Sequence, residues 1–158
     1  FAIQELSKYA KVFISSESKL PLDFEKYRIQ IQPHQMHDVL FYASLLWGES
    51  FTMPAECSAL GTPSIINHNT KSYYLYEQEN KYDLCYNYTE SEEDQIKAIA
   101  KGVEILQIPD LKEKWIKKRD KMLSEKIDVT SFLVWFIENY PQSVQVIKEN
   151  PDYQYNFR

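Results

Sequence analysis

The sequence predicts an α/β protein, with a mostly parallel, doubly wound sheet in a three-layer α/β/α arrangement. Short apolar runs of strand length alternate with longer segments whose apolar residues recur at helical spacing. Such alternation is typical of a parallel sheet with both faces covered. In the segment 45–66, a strand, a tight turn, a short helix and a second strand follow one another. Only three glycines in 158 residues argue against a loop-rich β protein.

Five segments have the length and composition of strands. The first is a short apolar run, the second alternates and is broken by Pro33, and the other three are apolar runs bounded by turn residues. The predicted strands are Val12 to Ser15, Arg28 to Ile31, Leu45 to Gly48, Ser64 to Ile66 and Leu84 to Tyr88.

Helices are predicted between and after these strands. Acidic residues from Ser91 to Asp94 favour a helix start there, and Pro141 ends an apolar helix. The predicted helices are the end of one at Phe1 to Tyr9, then His37 to Ser44, Thr52 to Leu60, Asp94 to Leu106, Asp110 to Lys126, Thr130 to Tyr140 and Ser143 to Glu149. Residues Ser72 to Asn80 are interpreted as helical or irregular.

Composition narrows the classes of partner and compartment. The net charge of −5 and the absence of a basic tract argue against nucleic acid. No apolar run approaches the roughly 20 residues that a membrane-spanning helix needs. Two cysteines, Cys57 and Cys85, have no disulfide or metal spacing, so we expect buried thiols in a cytoplasmic protein.

The turn after the third predicted strand carries the strongest functional signal. Pro54 sets the helix start near Phe51 or Thr52, because proline lacks an N–H and is tolerated only in the first turn. The free N–H groups of this turn and the positive end of the helix dipole form a phosphate site. Glu56 lies one turn further on, on the face of Thr52. This pattern indicates a nucleoside diphosphate whose ribose hydroxyls bond to Glu56.

Two stretches also follow the pattern of a known family. They are His37-Asp38-Val39-Leu40-Phe41-Tyr42-Ala43, and Ser50, Thr52-Met53, Glu56 with Leu60-Gly61-Thr62-Pro63. In these residues the chain resembles the C-terminal half of GT-B-type nucleotide-sugar enzymes, which include glycosyltransferases and non-hydrolysing UDP-N-acetylglucosamine 2-epimerases. It is similar to a bacterial family of uncharacterised proteins with that architecture. The resemblance is specific from Val12 to Pro63 and weaker from Ser64 to Tyr140.

The resemblance implies a fold, a ligand and site residues. It implies a Rossmann-like domain over residues 1–140, lacking its first, central strand, and a C-terminal helix and tail over residues 141–158. The ligand would be a nucleotide-sugar such as a UDP-sugar, bound without a metal or other cofactor. The implied site residues are Ser50, Phe51, Thr52, Met53 and Glu56 for the diphosphate and ribose, with Gln32 and His37 near the base. An N-terminal Rossmann-like domain of the same protein would complete the enzyme, so we expect this chain alone to be inactive.

The expected function is donor binding in a glycosyltransferase of bacterial surface polysaccharide or glycan synthesis. A sugar-nucleotide 2-epimerase would share the donor site, and a non-catalytic doubly wound interaction module is a further alternative. Residues Asn67 to Asn69 follow the next strand, on the binding edge, where they would touch the sugar or acceptor or simply form a turn. His34 and His37 have a spacing seen in zinc sites, but no third ligand stands nearby. The alternative is that His37 and Asp38 only cap the helix.

Overall fold

The computed structural model describes all 158 residues. Contacts divide the chain into two compact units, residues 1–119 and residues 120–158. The boundary between these units follows residue 119, whereas the family resemblance implies a boundary after residue 140. The implied boundary stays a prediction. None of the helices combines the length and the apolar character needed to cross a membrane.

The first unit contains a small parallel sheet. Its strands are β1 (Leu46–Gly48), β2 (Ser64–Asn67) and β3 (Cys85–Tyr88), and they lie in the order β1-β2-β3. Both pairings are parallel, with Trp47 opposite Ile65 and Ile65 opposite Tyr86. The mixed α/β class and the last three predicted strands are therefore confirmed, whereas the doubly wound three-layer arrangement stays a prediction.

The first two predicted strands, Val12 to Ser15 and Arg28 to Ile31, are not part of this sheet. They meet in one isolated parallel bridge between Ile14 and Arg28. The residues directly before Arg28 form a 3₁₀ helix, Leu22–Tyr27. The polar turn after Ser15 is held by a hydrogen bond from the Arg28 guanidinium to the Ser16 carbonyl. Because so little extended chain remains on either side, the prediction of two further strands is wrong. Strand β1 pairs with β2 alone and is an edge strand.

The predicted helices are present, with ends that shift by a few residues. In the first unit they are α1 (Ala2–Leu6), α2 (Met36–Tyr42), α3 (Thr52–Leu60), α4 (Tyr73–Asn80), α5 (Glu92–Leu106) and α6 (Leu111–Ser124), which continues into the second unit. A second 3₁₀ helix, Pro33–Gln35, precedes α2. The start of α5 agrees with its sequence signal, since the Ser91 hydroxyl accepts the Asp94 N–H.

The second unit contains α7 (Val129–Glu138), α8 (Gln142–Glu149) and the 3₁₀ helix Pro151–Asn156. Asp128 caps α7 by accepting the Ser131 N–H, and this bond lowers the pKa of the Asp128 carboxyl. The unit is held together by ring contacts, in which Trp135 lies 4.8 Å from Tyr153 and 5.3 Å from Phe157. The small core of this unit is therefore mostly aromatic.

The core of the first unit surrounds β2, whose four residues are all buried. Ile65 and Ile66 contribute its apolar side chains, and Trp115 of α6 is fully buried, with its Nε1 donating to the Leu84 carbonyl at 2.9 Å. Because Gly102 of α5 has no side chain, the side chains of Leu6 and Ile65 can pack close to the backbone of this helix. The sheet is thus covered by helices that come from several parts of the chain.

A glycine ends α3 and turns the chain into β2. Gly61 adopts the left-handed conformation, with φ of 71°, and the next N–H, that of Thr62, returns to the Cys57 carbonyl at 2.9 Å. A Cβ atom at Gly61 would lie 3.1 Å from the Ile116 side chain and 3.2 Å from its Cα. The turn therefore needs glycine for its backbone angle and for its close approach to α6.

We predict that Gly61→Ala lowers the free energy of unfolding by about 1–3 kcal/mol, because it adds left-handed strain and crowds Ile116. Urea denaturation followed by circular dichroism measures the change. Gly48→Ala is the matched control, because a Cβ there meets nothing closer than 4.0 Å. Equal stability of the two variants would contradict the described turn.

Candidate functional site

The turn between β1 and α3 presents main-chain donors at the carboxyl end of β1. Helix α3 begins at Thr52, with Phe51 at the N-cap position, as the sequence predicts. The Ser50 hydroxyl accepts the Thr52 N–H at 3.2 Å, and the first helical bond runs from the Ala55 N–H to the Phe51 carbonyl. Pro54 has no N–H, so Met53 supplies the remaining donor of this turn. Ser50 and Thr52, in the same turn, are exposed.

Two of the predicted site residues lie in contact. The His37 Nε2 of α2 lies 3.6 Å from the Glu56 Oε2 of α3, and the His37 side chain is 69% exposed against 35% for Glu56. The N-cap residue of α2 is Gln35, and no side chain makes a capping hydrogen bond at this helix start. Glu56 is thus held next to an imidazole and reaches solvent one turn beyond the donors of α3.

Gln32 lies at the start of the segment that leads to His37. It is exposed, and its carbonyl accepts the Gln35 N–H at 2.8 Å, which begins the 3₁₀ helix before α2. No hydrogen bond or ion pair connects Gln32 with Glu56 or with residues 50–53. Its expected contact with a base stays a prediction from the resemblance.

Lys112 holds the far ends of the two helices that carry His37 and Glu56. Its Nζ donates to the carbonyl of Phe41 in α2, to the carbonyl of Leu60 in α3 at 3.4 Å, and to the Thr62 Oγ1 at 2.9 Å. It also lies 4.0 Å from the centroid of the Phe41 ring. Burial, with a smaller effect of Arg119, lowers the pKa of Lys112. Its ammonium therefore caps two helix C-termini.

The ends of the three strands are tied together by Asn67. Its Oδ1 accepts the Trp47 Nε1–H at 2.7 Å, and its Nδ2 donates to the Thr89 carbonyl at 3.0 Å. The adjacent His68 packs against Phe51, with ring centroids 4.7 Å apart, and its Nδ1 accepts the Thr70 N–H. Its Nε2 then carries the ring proton. His68 thereby extends the candidate site from the α3 turn toward the end of β2.

A cavity of about 220 Å³ lies beyond His68, at the carboxyl ends of β2 and β3. Among its lining residues, Glu79 accepts the Asn87 N–H at 3.0 Å and the Asn87 Nδ2 at 2.8 Å. Asp94 accepts the Thr89 N–H and hydroxyl, and these bonds lower the pKa of the Asp94 carboxyl. Neither carboxylate is evident as a site residue from the sequence, because Glu79 is far along α4 and Asp94 lies in an acidic stretch that is typical of an ordinary helix start.

The cysteines and histidines form no further reactive group. Cys57 and Cys85 are buried free thiols, and burial raises the pKa of each to about 12, so neither is a thiolate at neutral pH. No three His, Cys, Asp or Glu side chains come together as metal ligands. The polar groups described above are therefore what the site offers for binding.

Comparison with known protein families, with curated proteins and with solved structures found no match to this chain.

We predict that Lys112→Met lowers the free energy of unfolding by about 1–3 kcal/mol, because the carbonyls of Phe41 and Leu60 lose their shared donor. Relief from burying the ammonium offsets part of this loss. Chemical denaturation measures the change. Lys114→Met, at an exposed position on the same helix, should change stability by less than about 0.5 kcal/mol. A loss no larger than that of the control would mean that Lys112 does not hold the two helix ends.

Proposed function

We propose that this chain forms the nucleotide-sugar-binding part of a GT-B-type glycosyltransferase that acts in the cytoplasm on a UDP-sugar or a similar donor. The observation that carries the proposal is the contact of Glu56 with His37, next to the start of α3 and at the carboxyl end of β1. In open parallel sheets, ligands bind at the carboxyl ends of the strands. The full enzyme would include an N-terminal Rossmann-like domain and a doubly wound sheet larger than three strands.

In this proposal the diphosphate lies against the first turn of α3. The Met53 N–H and the hydroxyls of Ser50 and Thr52 would donate to it, supported by the positive end of the helix dipole. As the sugar is transferred, negative charge grows on the leaving diphosphate. Oriented donors that strengthen their bonds to that charge lower the barrier without a metal ion.

The ribose is assigned to Glu56. Its partly exposed carboxylate lies about one helical turn from the phosphate donors and would accept both ribose hydroxyls in charge-assisted hydrogen bonds. His37 would orient that carboxylate from the neighbouring helix, and Gln32 would meet the base through its main chain. His68, which packs on Phe51, borders the same turn on its other side.

We expect Glu56→Ala to weaken the binding of the preferred nucleoside diphosphate about ten- to a hundredfold, because charge-assisted bonds worth roughly 1.5–3 kcal/mol are lost. Calorimetric titration of the full-length protein with a panel of nucleoside diphosphates measures this effect. Stability should change little, since the side chain is partly exposed.

Two further variants sharpen this test. Glu92→Ala, an exposed acidic residue in the first turn of α5, should bind like wild type. His37→Ala should lose less affinity than Glu56→Ala, because His37 only orients the carboxylate. The proposal fails if no nucleoside diphosphate binds the wild type, or if Glu56→Ala binds as tightly as wild type.

A further inference from the structure

The cavity at the carboxyl ends of β2 and β3 has features that the donor site does not use. Its walls come from the loop after β2, from α4, from the end of β3 and from the start of α5. At about 220 Å³ it is smaller than the pockets of about 300–1,000 Å³ that hold drug-sized ligands. Its size suits a single small ring.

One wall of the cavity contains a hydroxyl without a partner. Ser72 stands at the N-cap position of α4, where a serine side chain normally accepts a helix N–H, but it makes no such bond. Its Oγ is buried and has no hydrogen-bond partner. Buried polar groups in native proteins are nearly always paired. Ser72 lines the cavity, so a ligand there would supply the missing partner once the serine side chain turns toward it.

The charges around the cavity disfavour an anion. Two carboxylates, Glu79 and Asp94, line it with one ammonium, that of Lys71. The Lys97 ammonium does not line the cavity but lies 3.5 Å from the Asp94 Oδ1 and offsets part of its charge. Each carboxylate already accepts hydrogen bonds from Asn87 or Thr89 but keeps further acceptor capacity, since a carboxylate offers about four lone-pair sites. A phosphate or carboxylate ligand would be repelled here, whereas hydroxyl groups would find acceptors.

Tyrosines supply the apolar part of the same surface. Tyr76 lines the cavity and is 60% exposed, and Tyr73, in the first turn of the same helix, is 94% exposed. Tyr88 completes the lining, and burial raises its pKa, so its hydroxyl stays neutral. Aromatic faces beside carboxylate and amide groups match a pyranose, whose C–H face packs on a ring while its hydroxyls bond to the polar groups.

We propose that the cavity and the α4 tyrosines bind a neutral saccharide, with one sugar ring inside the cavity and the adjoining residues of a glycan along Tyr73 and Tyr76. His68 borders the cavity and lies against Phe51 of the α3 turn. If the proposed function holds, on which this assignment of a role rests, the saccharide is the acceptor of the transferred sugar. The binding of the saccharide itself needs no nucleotide.

The test is direct binding of the full-length protein to an array of neutral oligosaccharides of glucose, galactose and N-acetylglucosamine, with sialylated and phosphorylated glycans alongside. We expect neutral glycans to bind without nucleotide and the anionic ones to bind at least tenfold more weakly. The absence of binding to every neutral glycan, or stronger binding of the anionic ones, overturns the proposal.

Variants then locate the site by titration with the best glycan. Tyr76→Ala should weaken binding tenfold or more. Ser72→Ala should weaken it about three- to tenfold while leaving stability unchanged, because its hydroxyl has no partner to lose. Tyr42→Ala, which removes a tyrosine that is 81% exposed on α2, is the control and should bind like wild type. Unchanged binding in both Tyr76→Ala and Ser72→Ala overturns the location.

The two proposals fail separately. Tyr76→Ala should retain the affinity of wild type for nucleoside diphosphates, and Glu56→Ala should retain its affinity for the glycan. If the protein binds glycans but no nucleoside diphosphate, the proposed saccharide site is supported and the proposed transferase function fails. If it binds nucleoside diphosphates but no neutral glycan, the saccharide site fails and the proposed function can still hold.

Discussion

Strand β2 is buried along its whole length, and the positions of the other elements in the first unit follow from that burial. Strands β1 and β3 pair with its two edges, and helices α3 and α5 pack against it. Both of its ends are pinned by polar side chains. Thr62, just before the strand, donates to the Leu40 carbonyl at 2.8 Å, and Asn67, at its end, joins β1 to the loop after β3. The strand is therefore tied to α2 at its start, and to β1 and the loop after β3 at its end.

These two ends have different chemistry. At the amino end, Lys112 and Thr62 satisfy main-chain carbonyls, so the polar groups there serve the fold. At the carboxyl end, the α3 turn, the His37–Glu56 pair and the cavity leave donors and acceptors facing solvent. Parallel strands bring such groups to one edge because every strand ends there. Glu79 has a double role at this edge, since its bonds to Asn87 also block the outer side of β3 from pairing with another strand.

Local signals in the sequence predicted the parts of the site that depend on neighbouring residues. Pro54 gave the start of α3, and the helix runs from Thr52 to Leu60 as expected. The site residues on different elements were harder to relate. His37 and Glu56 are both predicted site residues, yet nothing in their spacing of nineteen positions indicates that they touch. The prediction of two early strands was wrong because their composition suits strands, but no strand of the sheet pairs with them.

By itself the sequence determined the α/β class, three parallel strands, the helices and the start of α3, because these follow from periodicity and from single residues such as Pro54 and Gly61. The tertiary structure alone decided the contact of His37 with Glu56, the hold of Lys112 on two helix ends and the cavity beside Ser72. Each of these joins groups on separate elements. Their meeting depends on how the helices pack around a buried strand, and side-chain packing at such distances leaves no periodic trace in the order of residues.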